Sequence, residues 1–414
     1  MRAVRIETCG RPPVVGEHPS PVPGADRELV RVVAAPITPL DLLCAGGTSY
    51  FGTPALPYVP GVQGVGTAGG RLVWFPTPAG MAPGDGSMAE LASVPSEDLV
   101  ELPAGADPLA VAALGLSAVA AYMALTWRGE LAAGEQVLVL GGGGVVGQAA
   151  IQLARLAGAR RVVAAARSSA GLERARLAGA DAVIPLGNAS VTEWAGTDAR
   201  TSPGDPSVTE PAGTDARTSP GDASVTEPTG TDARTSPGDA SVTKPAGTDA
   251  RTSPGDPSVT EPDARTSPGD TEVAAPAGAI PPVSTDVAEL ADRFSAACDG
   301  PVDLVLDPLF GIPAAAAART LRKGGRLVNL GGSASETCPL DSSTLRSRSL
   351  RVLGYTNNEL TREQLARAVA FIAEQSAAGR LAVVYEVSPL AEAAAAWQRQ
   401  AAGTARGRIV LHTS

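Results

Sequence analysis

The 414-residue sequence predicts an α/β protein organised on a doubly wound parallel sheet, with a β-rich second domain and one disordered insertion. Three observations lead there. Residues 138–147 read Leu-Val-Leu-Gly-Gly-Gly-Gly-Val-Val-Gly, an apolar strand entering a glycine turn; Gln-Ala-Ala-Ile-Gln-Leu-Ala-Arg-Leu-Ala follows with helical apolar spacing. Beyond residue 130, short apolar runs alternate with helical patterns to give six strands, the number of a doubly wound sheet. Residues 1–100 instead alternate short strands with Pro and Gly turns, the pattern of an antiparallel β-rich domain.

Strands are expected at Arg2–Glu7, Leu29–Ala34 and Arg71–Phe75 in the first region. The sheet strands follow at 137–141, Arg161–Ala166, Asp181–Pro185, Val302–Asp307, Arg326–Leu330 and Leu350–Tyr355, with helices at Val287–Ala297 and Pro313–Leu321. A helix over Glu363–Ala377, a strand Val383–Val387, a helix Leu390–Gln400 and a final strand Arg408–Leu411 close the chain and are expected to pack on the N-terminal domain. This divides the chain into a β-rich domain over 1–115, a doubly wound domain over 116–354 and a C-terminal return over 355–414. With 44% apolar residues but only 3% aromatics, the cores must be built from Ala, Val and Leu.

A tandem repeat interrupts the second domain. Ser-Pro-Gly-Asp recurs at Ser202–Asp205, Ser219–Asp222, Ser236–Asp239, Ser253–Asp256 and Ser267–Asp270, spaced by 17 residues and finally by 14. Each unit carries one valine, no leucine and several turn residues, so it has no face to bury by stacking. Residues 188–280 therefore read as a disordered acidic insertion. Residues 188–275 carry a net −9 of the chain's −10, so the remainder is nearly neutral and offers no basic stripe for nucleic acid.

The glycine turn carries the chemistry. Gly142, Gly144 and Gly147 supply a G-x-G-x-x-G spacing: the first is expected to make the tight turn, the second to admit a pyrophosphate, the third to let helix and strand pack closely. Val145 and Val146 then open the helix whose free N–H groups would meet the phosphates. About twenty residues further on, an NAD site wants a carboxylate for the ribose 2′-hydroxyl. This chain has Arg167, followed by Ser168 and Ser169, donors that suit the 2′-phosphate of NADP(H). The alternative is a solvated arginine at a strand end.

Several classes are excluded. The N-terminus has no apolar signal core and no run of eighteen apolar residues occurs, so a cytoplasmic protein without membrane contact is expected. Cys9, Cys44, Cys298 and Cys338 are far apart and form no C-x-x-C, so neither a disulfide framework nor a structural zinc site is indicated. His18 and His412, near the two ends, are the only histidines.

In order along the chain, Pro39-Leu40-Asp41-Leu42, Val59-Pro60-Gly61-Val62-Gln63-Gly64-Val65-Gly66, Gly86-Ser87-Met88-Ala89-Glu90 and Leu114-Gly115-Leu116-Ser117-Ala118 resemble the medium-chain dehydrogenase/reductase superfamily. So do the glycine turn with Gln148, Leu177-Ala178-Gly179-Ala180-Asp181, Leu327-Val328-Asn329-Leu330-Gly331-Gly332 and Gly407-Arg408-Ile409-Val410-Leu411. The likeness is to the zinc-independent quinone oxidoreductase branch and covers all but the insertion. Where zinc alcohol dehydrogenases of this superfamily carry Cys and His-Glu, this chain has Thr38 and Val62-Gln63, and it lacks their four-cysteine lobe.

The resemblance implies a Rossmann domain joined to a GroES-like catalytic domain, an NADPH-dependent and zinc-free enzyme, a small quinone or α,β-unsaturated carbonyl as acceptor, and a homodimer. An alcohol or ketone dehydrogenase of the same fold, or a non-catalytic NADP-binding protein, are the alternatives. Related enoyl reductases carry a proton-donating Tyr in a loop like Gly46–Gly52, which nominates Tyr50 as general acid, against a tyrosine packing on Pro54. Thr38 stands where relatives place a cleft-facing Asn, and either bonds a carbonyl or fills the turn before Pro39. Ser117 resembles a Thr that touches the nicotinamide ribose or phosphate. Asn329, Gly331 and Gly332 end a strand at the sheet's carboxyl edge, where ligands of such sheets sit. Asp307-Pro308-Leu309 ends a neighbouring strand, and Asn357 and Asn358 follow the last one.

Overall fold

The computed structural model describes residues 1–187 and 286–413; the expected insertion over 188–280 lies outside the described residues. The N-terminal domain begins with a hairpin of β1 (Arg2–Arg5) and β2 (Val14–Glu17), then β3 (Arg27–Pro36) and helix α1 (Pro39–Gly46). Strands β4 (Gln63–Ala68), β5 (Arg71–Pro76), β6 (Leu91–Pro95) and β7 (Val100–Glu101) complete it. Their pairings, β3–β4, β4–β5, β5–β7 and β3–β6, are all antiparallel. Trp74 and Phe75 on β5 are fully buried, a large share of the domain's few aromatic anchors.

Helix α2 (Pro108–Met123) leads out of this domain. Asp107 caps it, its carboxylate accepting from Leu109 N at 3.0 Å, and Pro108 supplies the fixed φ of a first turn. With the turn that continues to Arg128, it is long and apolar enough to cross a membrane, but most of it is buried inside the protein. The helix breaks at Gly115, whose φ of 36° and ψ of −138° are not helical, so Ser117 does open a second helical half.

The second domain holds β8 (Gln136–Leu140), α3 (Val145–Leu156), β9 (Arg161–Ala166), α4 (Ser169–Leu177) and β10 (Ala182–Pro185). After the insertion come α5 (Val287–Ala297), β11 (Val302–Asp307), α6 (Gly311–Ala318), β12 (Leu321–Asn329), α7 (Ser342–Arg348) and β13 (Arg351–Gly354). The sheet order is β10-β9-β8-β11-β12-β13 and every pairing is parallel. That is the 3-2-1-4-5-6 order of a Rossmann domain, with its switch point between β8 and β11. Helices cover the sheet through small side chains: Ala314 to Ala318 on α6 are all buried, as are Ala149, Ala150, Ile151, Leu153 and Ala154 on α3. Each fully buried Ile or Leu contributes about 1.5–3 kcal/mol.

The chain then returns through α8 (Arg362–Ala377), β14 (Tyr385–Pro389), α9 (Ala393–Ala401) and β15 (Arg408–His412). Strand β15 pairs antiparallel with β3 and parallel with β14, so the first domain's seven-stranded sheet is closed by the end of the sequence.

Candidate active site

The glycine turn joins β8 to α3 at the carboxyl edge of the sheet. The positive φ of its turn falls on Gly141 (68°), not on Gly142, which corrects the expectation that the first glycine of the spacing makes the bend. Gly142 is required for packing: a Cβ there would lie 2.8 Å from Ala164 Cβ. Gly147 has the expected role, since a Cβ would lie 2.3 Å from Gly141 O and 2.5 Å from Gly142 Cα. At Gly144 the nearest atom to a Cβ is Gly141 O at 3.5 Å, so only a ligand would need that space.

Gly144 is also the N-cap of α3 and offers no side-chain cap, whereas Thr38, Asp107, Ser168, Asp286, Asp341 and Thr361 cap their helices. The first-turn N–H groups at Val145, Val146 and Gly147 are thus left for an anion. Arg167 follows β9, is exposed, and has no hydrogen bond or ion pair among the described residues. The Ser168 oxygen caps α4, accepting from Gly171 N at 3.1 Å. A free guanidinium beside a helix start, one strand from an uncapped helix, fits a dinucleotide bearing a 2′-phosphate.

The neighbouring loops are braced by Asp307 and Asn329. Asp307 Oδ1 accepts from Leu309 N and Phe310 N, both at 2.9 Å, so Asp307-Pro308-Leu309 makes a structural turn. Asn329 Nδ2 donates to Asp307 Oδ2 at 3.0 Å and to Gly331 O at 2.9 Å. Burial pushes the Asp307 carboxyl above its ordinary range against the pull of these donors. A Cβ at Gly331 would sit 3.1 Å from Pro308 O, and one at Gly332 3.0 Å from Ser335 O, so both glycines serve close loop packing.

A second cluster forms where the two domains meet. Thr38 caps α1 and its hydroxyl donates to Asp41 Oδ2 at 2.6 Å, while Thr38 N donates to the same oxygen at 2.8 Å. Its one proton is committed there, which favours the structural alternative for Thr38. Asp41 Oδ1 accepts from Gly61 N and Val62 N, both at 3.0 Å. Burial raises the Asp41 carboxyl, opposed by Thr38, Val62 and the Arg408 charge.

Arg408, only 4% exposed, donates to Ile37 O and to Ser117 Oγ, each at 2.9 Å, and burial lowers its guanidinium to about 10. Ser117 is thereby tied to an internal cation. Gln63 Oε1 accepts from Trp74 Nε1 at 3.0 Å and Leu116 N at 2.8 Å, and its amide fills the space a Cβ at Gly115 would need. That explains the kink in α2.

Tyr50 is 77% exposed, its ring against Phe51 at 4.2 Å, and its hydroxyl oxygen accepts from Asn358 Nδ2 at 2.9 Å. Asn357 Nδ2 donates to Leu116 O at 3.0 Å and Asn357 Oδ1 accepts from the Tyr355 hydroxyl at 2.7 Å, while Tyr355 N donates to Asn329 O at 2.9 Å. Asn329, Tyr355, Asn357 and Leu116 thus form a continuous path from the sheet edge to the junction. Gly141, Asp41 and Arg408 had no role assigned from the sequence, although Asp41 and Arg408 stand in its motifs, and the bracing role of Asn358 was likewise unforeseen. Only Asp41 and Arg408, charges within apolar segments, carried a signal of burial.

The zinc of related dehydrogenases does not fit. Thr38 is spent on Asp41, Val62 offers no donor, and Gln63 is a neutral amide holding Trp74 and Leu116. Among the described residues no group of three His, Cys, Asp or Glu is placed to hold a metal ion.

The fold is a Rossmann domain beside a GroES-like one, with the glycine turn at the carboxyl edge of the Rossmann sheet. The family described as zinc-binding dehydrogenase matches residues 283–411, a stretch that excludes positions 38, 62 and 63. Quinone oxidoreductase from Lama guanicoe is 34% identical over 170 residues, 37% of this chain and 49% of that protein. The human quinone oxidoreductase is 34% identical over 173 residues, 38% and 50% of the two chains. A 2-methylene-furan-3-one reductase from Solanum lycopersicum is 35% identical over 179 residues, 38% and 44% of the two chains. The chain thus spans about half the length of the curated relatives it matches.

Among solved structures, a mycobacterial quinone oxidoreductase superposes with a TM-score of 0.69 at 17% identity, covering 100% of both chains. The Thermus thermophilus quinone oxidoreductase, also solved with NADPH, gives 0.65 at 23% identity, again over 100% of both. These two establish the fold. The chain is thus similar to quinone oxidoreductases over somewhat more than a third of its length and shares the fold of their solved structures.

Proposed function

We propose that the protein is a zinc-independent, NADPH-dependent oxidoreductase that reduces a conjugated carbonyl acceptor, a quinone or an α,β-unsaturated carbonyl. One observation carries the cofactor part: Arg167 stands exposed and, among the described residues, unpaired beside the α4 start, where a carboxylate would read an unphosphorylated ribose. The quinone oxidoreductase relatives support the acceptor class. When bound, the reduced nicotinamide supplies the hydride. The protein's task is to hold the two reactants at near-attack distance in a dry cleft.

The uncapped α3 start holds the pyrophosphate, and Arg167 holds the 2′-phosphate. Without a Lewis acid at Thr38, Val62 and Gln63, an isolated ketone lacks the polarisation it needs, whereas a conjugated acceptor spreads its developing charge to a distant oxygen. Tyr50 delivers the proton to that product. Its oxygen already accepts from Asn358, which leaves its own O–H to donate.

We further infer a homodimer formed through β13, the edge strand of the second sheet, whose Val352 is 41% exposed. A cytoplasmic location is supported by four free cysteines, which suit a reducing compartment.

Purified protein given NADPH and, separately, a quinone, an enone and a simple ketone tests the reading. Oxidation of NADPH with the first two and not the third is expected. Preferential ketone reduction, or no turnover with any acceptor, would overturn it.

A further inference from the structure

Arg174 and Gln148 lie outside every group the proposed function uses, yet both hold the same backbone atom. Arg174 Nε donates to Gly143 O at 2.9 Å, and Gln148 Nε2 donates to that oxygen at 3.1 Å. Each has a second anchor on the C-terminal return. Arg174 Nη1 donates to Arg406 O at 3.3 Å, and Gln148 Oε1 accepts from Val384 N at 3.1 Å. Those two points are joined to each other, since Arg408 N donates to Val384 O at 3.0 Å. On the remaining side α4 walls the turn: a Cβ at Gly143 would lie 2.4 Å from Gly171 Cα.

A run of four glycines has more conformational freedom to lose than any other sequence, so a binding loop made of one needs outside restraint to be pre-organised. We propose that Arg174 and Gln148 are positioning residues for the cofactor loop: by fixing the Gly143 carbonyl they hold the turn in the shape that presents the α3 N–H groups to a pyrophosphate. This rests on the reading of the turn as an NADPH site. The restraint originates in the segment that closes the first domain's sheet, so the return braces the phosphate loop of the other domain.

Dissociation constants for NADPH, NADH and 2′-AMP, measured by calorimetry on the full chain, test this. Arg174→Met should weaken NADPH and NADH by the same factor, about tenfold, the equivalent of one hydrogen bond from a charged donor. It should leave 2′-AMP, which has no pyrophosphate, unchanged, and Arg174→Lys should recover part of the loss. Gln148→Leu, which removes the other donor but keeps a buried side chain, should show the same pattern. Loss for all three ligands would mean a merely structural residue, and loss confined to NADPH and 2′-AMP would mean a direct 2′-phosphate contact. Either result, or no change in either variant, overturns the proposal. A wild-type chain that binds neither dinucleotide overturns the cofactor reading itself, and this inference with it.

Discussion

Replacing Gly147 by alanine would put a Cβ 2.3 Å from Gly141 O, against backbone that cannot yield, while at Gly144 the nearest atom is 3.5 Å away. Gly144→Ala should therefore keep the wild-type melting temperature yet lose NADPH affinity by about tenfold, because the methyl occupies space that only the pyrophosphate needs. Gly147→Ala should cost stability outright, by about 2 kcal/mol or more. Thermal melts with and without NADPH separate the two; equal melting temperatures for both variants would contradict the assignment. At Tyr50, the phenylalanine variant should bind NADPH like wild type and reduce an enone about 10²-fold more slowly. Quinone reduction should suffer less, since that product can take its proton from water. Unchanged rates on both substrates would leave Tyr50 a surface aromatic. The packing role of Gly147 was readable because it is a backbone requirement fixed locally in sequence. Thr38 and Ser117 were not, because what occupies their hydroxyls, Asp41 and Arg408, is settled only by the folded arrangement.

Individual elements are held at their ends by charge. Just before β8, Glu135 accepts from Arg326 Nη1 at 2.8 Å, Arg322 Nη2 at 3.1 Å and Ala132 N at 3.0 Å, while Arg326 Nε donates to Gly129 O at 2.7 Å. Burial alone would raise this carboxyl, but the two guanidiniums and the Ala132 N–H outweigh it and hold it below the usual glutamate range. A lowered folded value means the stabilisation is full above the unfolded value of about 4.3 and is lost as pH falls through the folded one. Glu135→Gln should thus destabilise by about 2–3 kcal/mol at pH 7, with the gap to wild type closing on acidification below about pH 4. Chemical denaturation across that range measures it; a gap that widens in acid would refute the network's role. The strands Arg161–Ala166 and Val302–Asp307 and the helix Val287–Ala297 were legible to the residue, since apolar period and flanking turns agree there. The kink in α2 was not, because Gly115 yields to the Gln63 side chain, a contact across 52 positions of sequence that no local pattern announces.

For the whole molecule, the alternation of strand and helix resumed after the repeat, which made the Rossmann sheet legible across the interruption over 188–280. The first domain's closure was legible only as a return of the C-terminus; which strand it meets, β3, is set by tertiary packing. The ends flanking the insertion are tied together, as Arg293 on α5 donates to Pro185 O at 3.0 Å and Gly187 O at 2.9 Å. Deleting residues 188–280 and joining the ends with a short Gly-Asp-containing loop should therefore preserve melting temperature and NADPH affinity, since the repeat sequence offers almost no apolar area. Loss of folding would show that the repeat packs. The proposed chemistry depends on a cofactor site that reads a 2′-phosphate. Its most direct test is the pair of dissociation constants for NADPH and NADH in wild type and Arg167→Asp. Tighter NADPH binding by wild type, narrowed or reversed in the variant, is predicted, and equal constants for the two cofactors in the wild-type protein would contradict it.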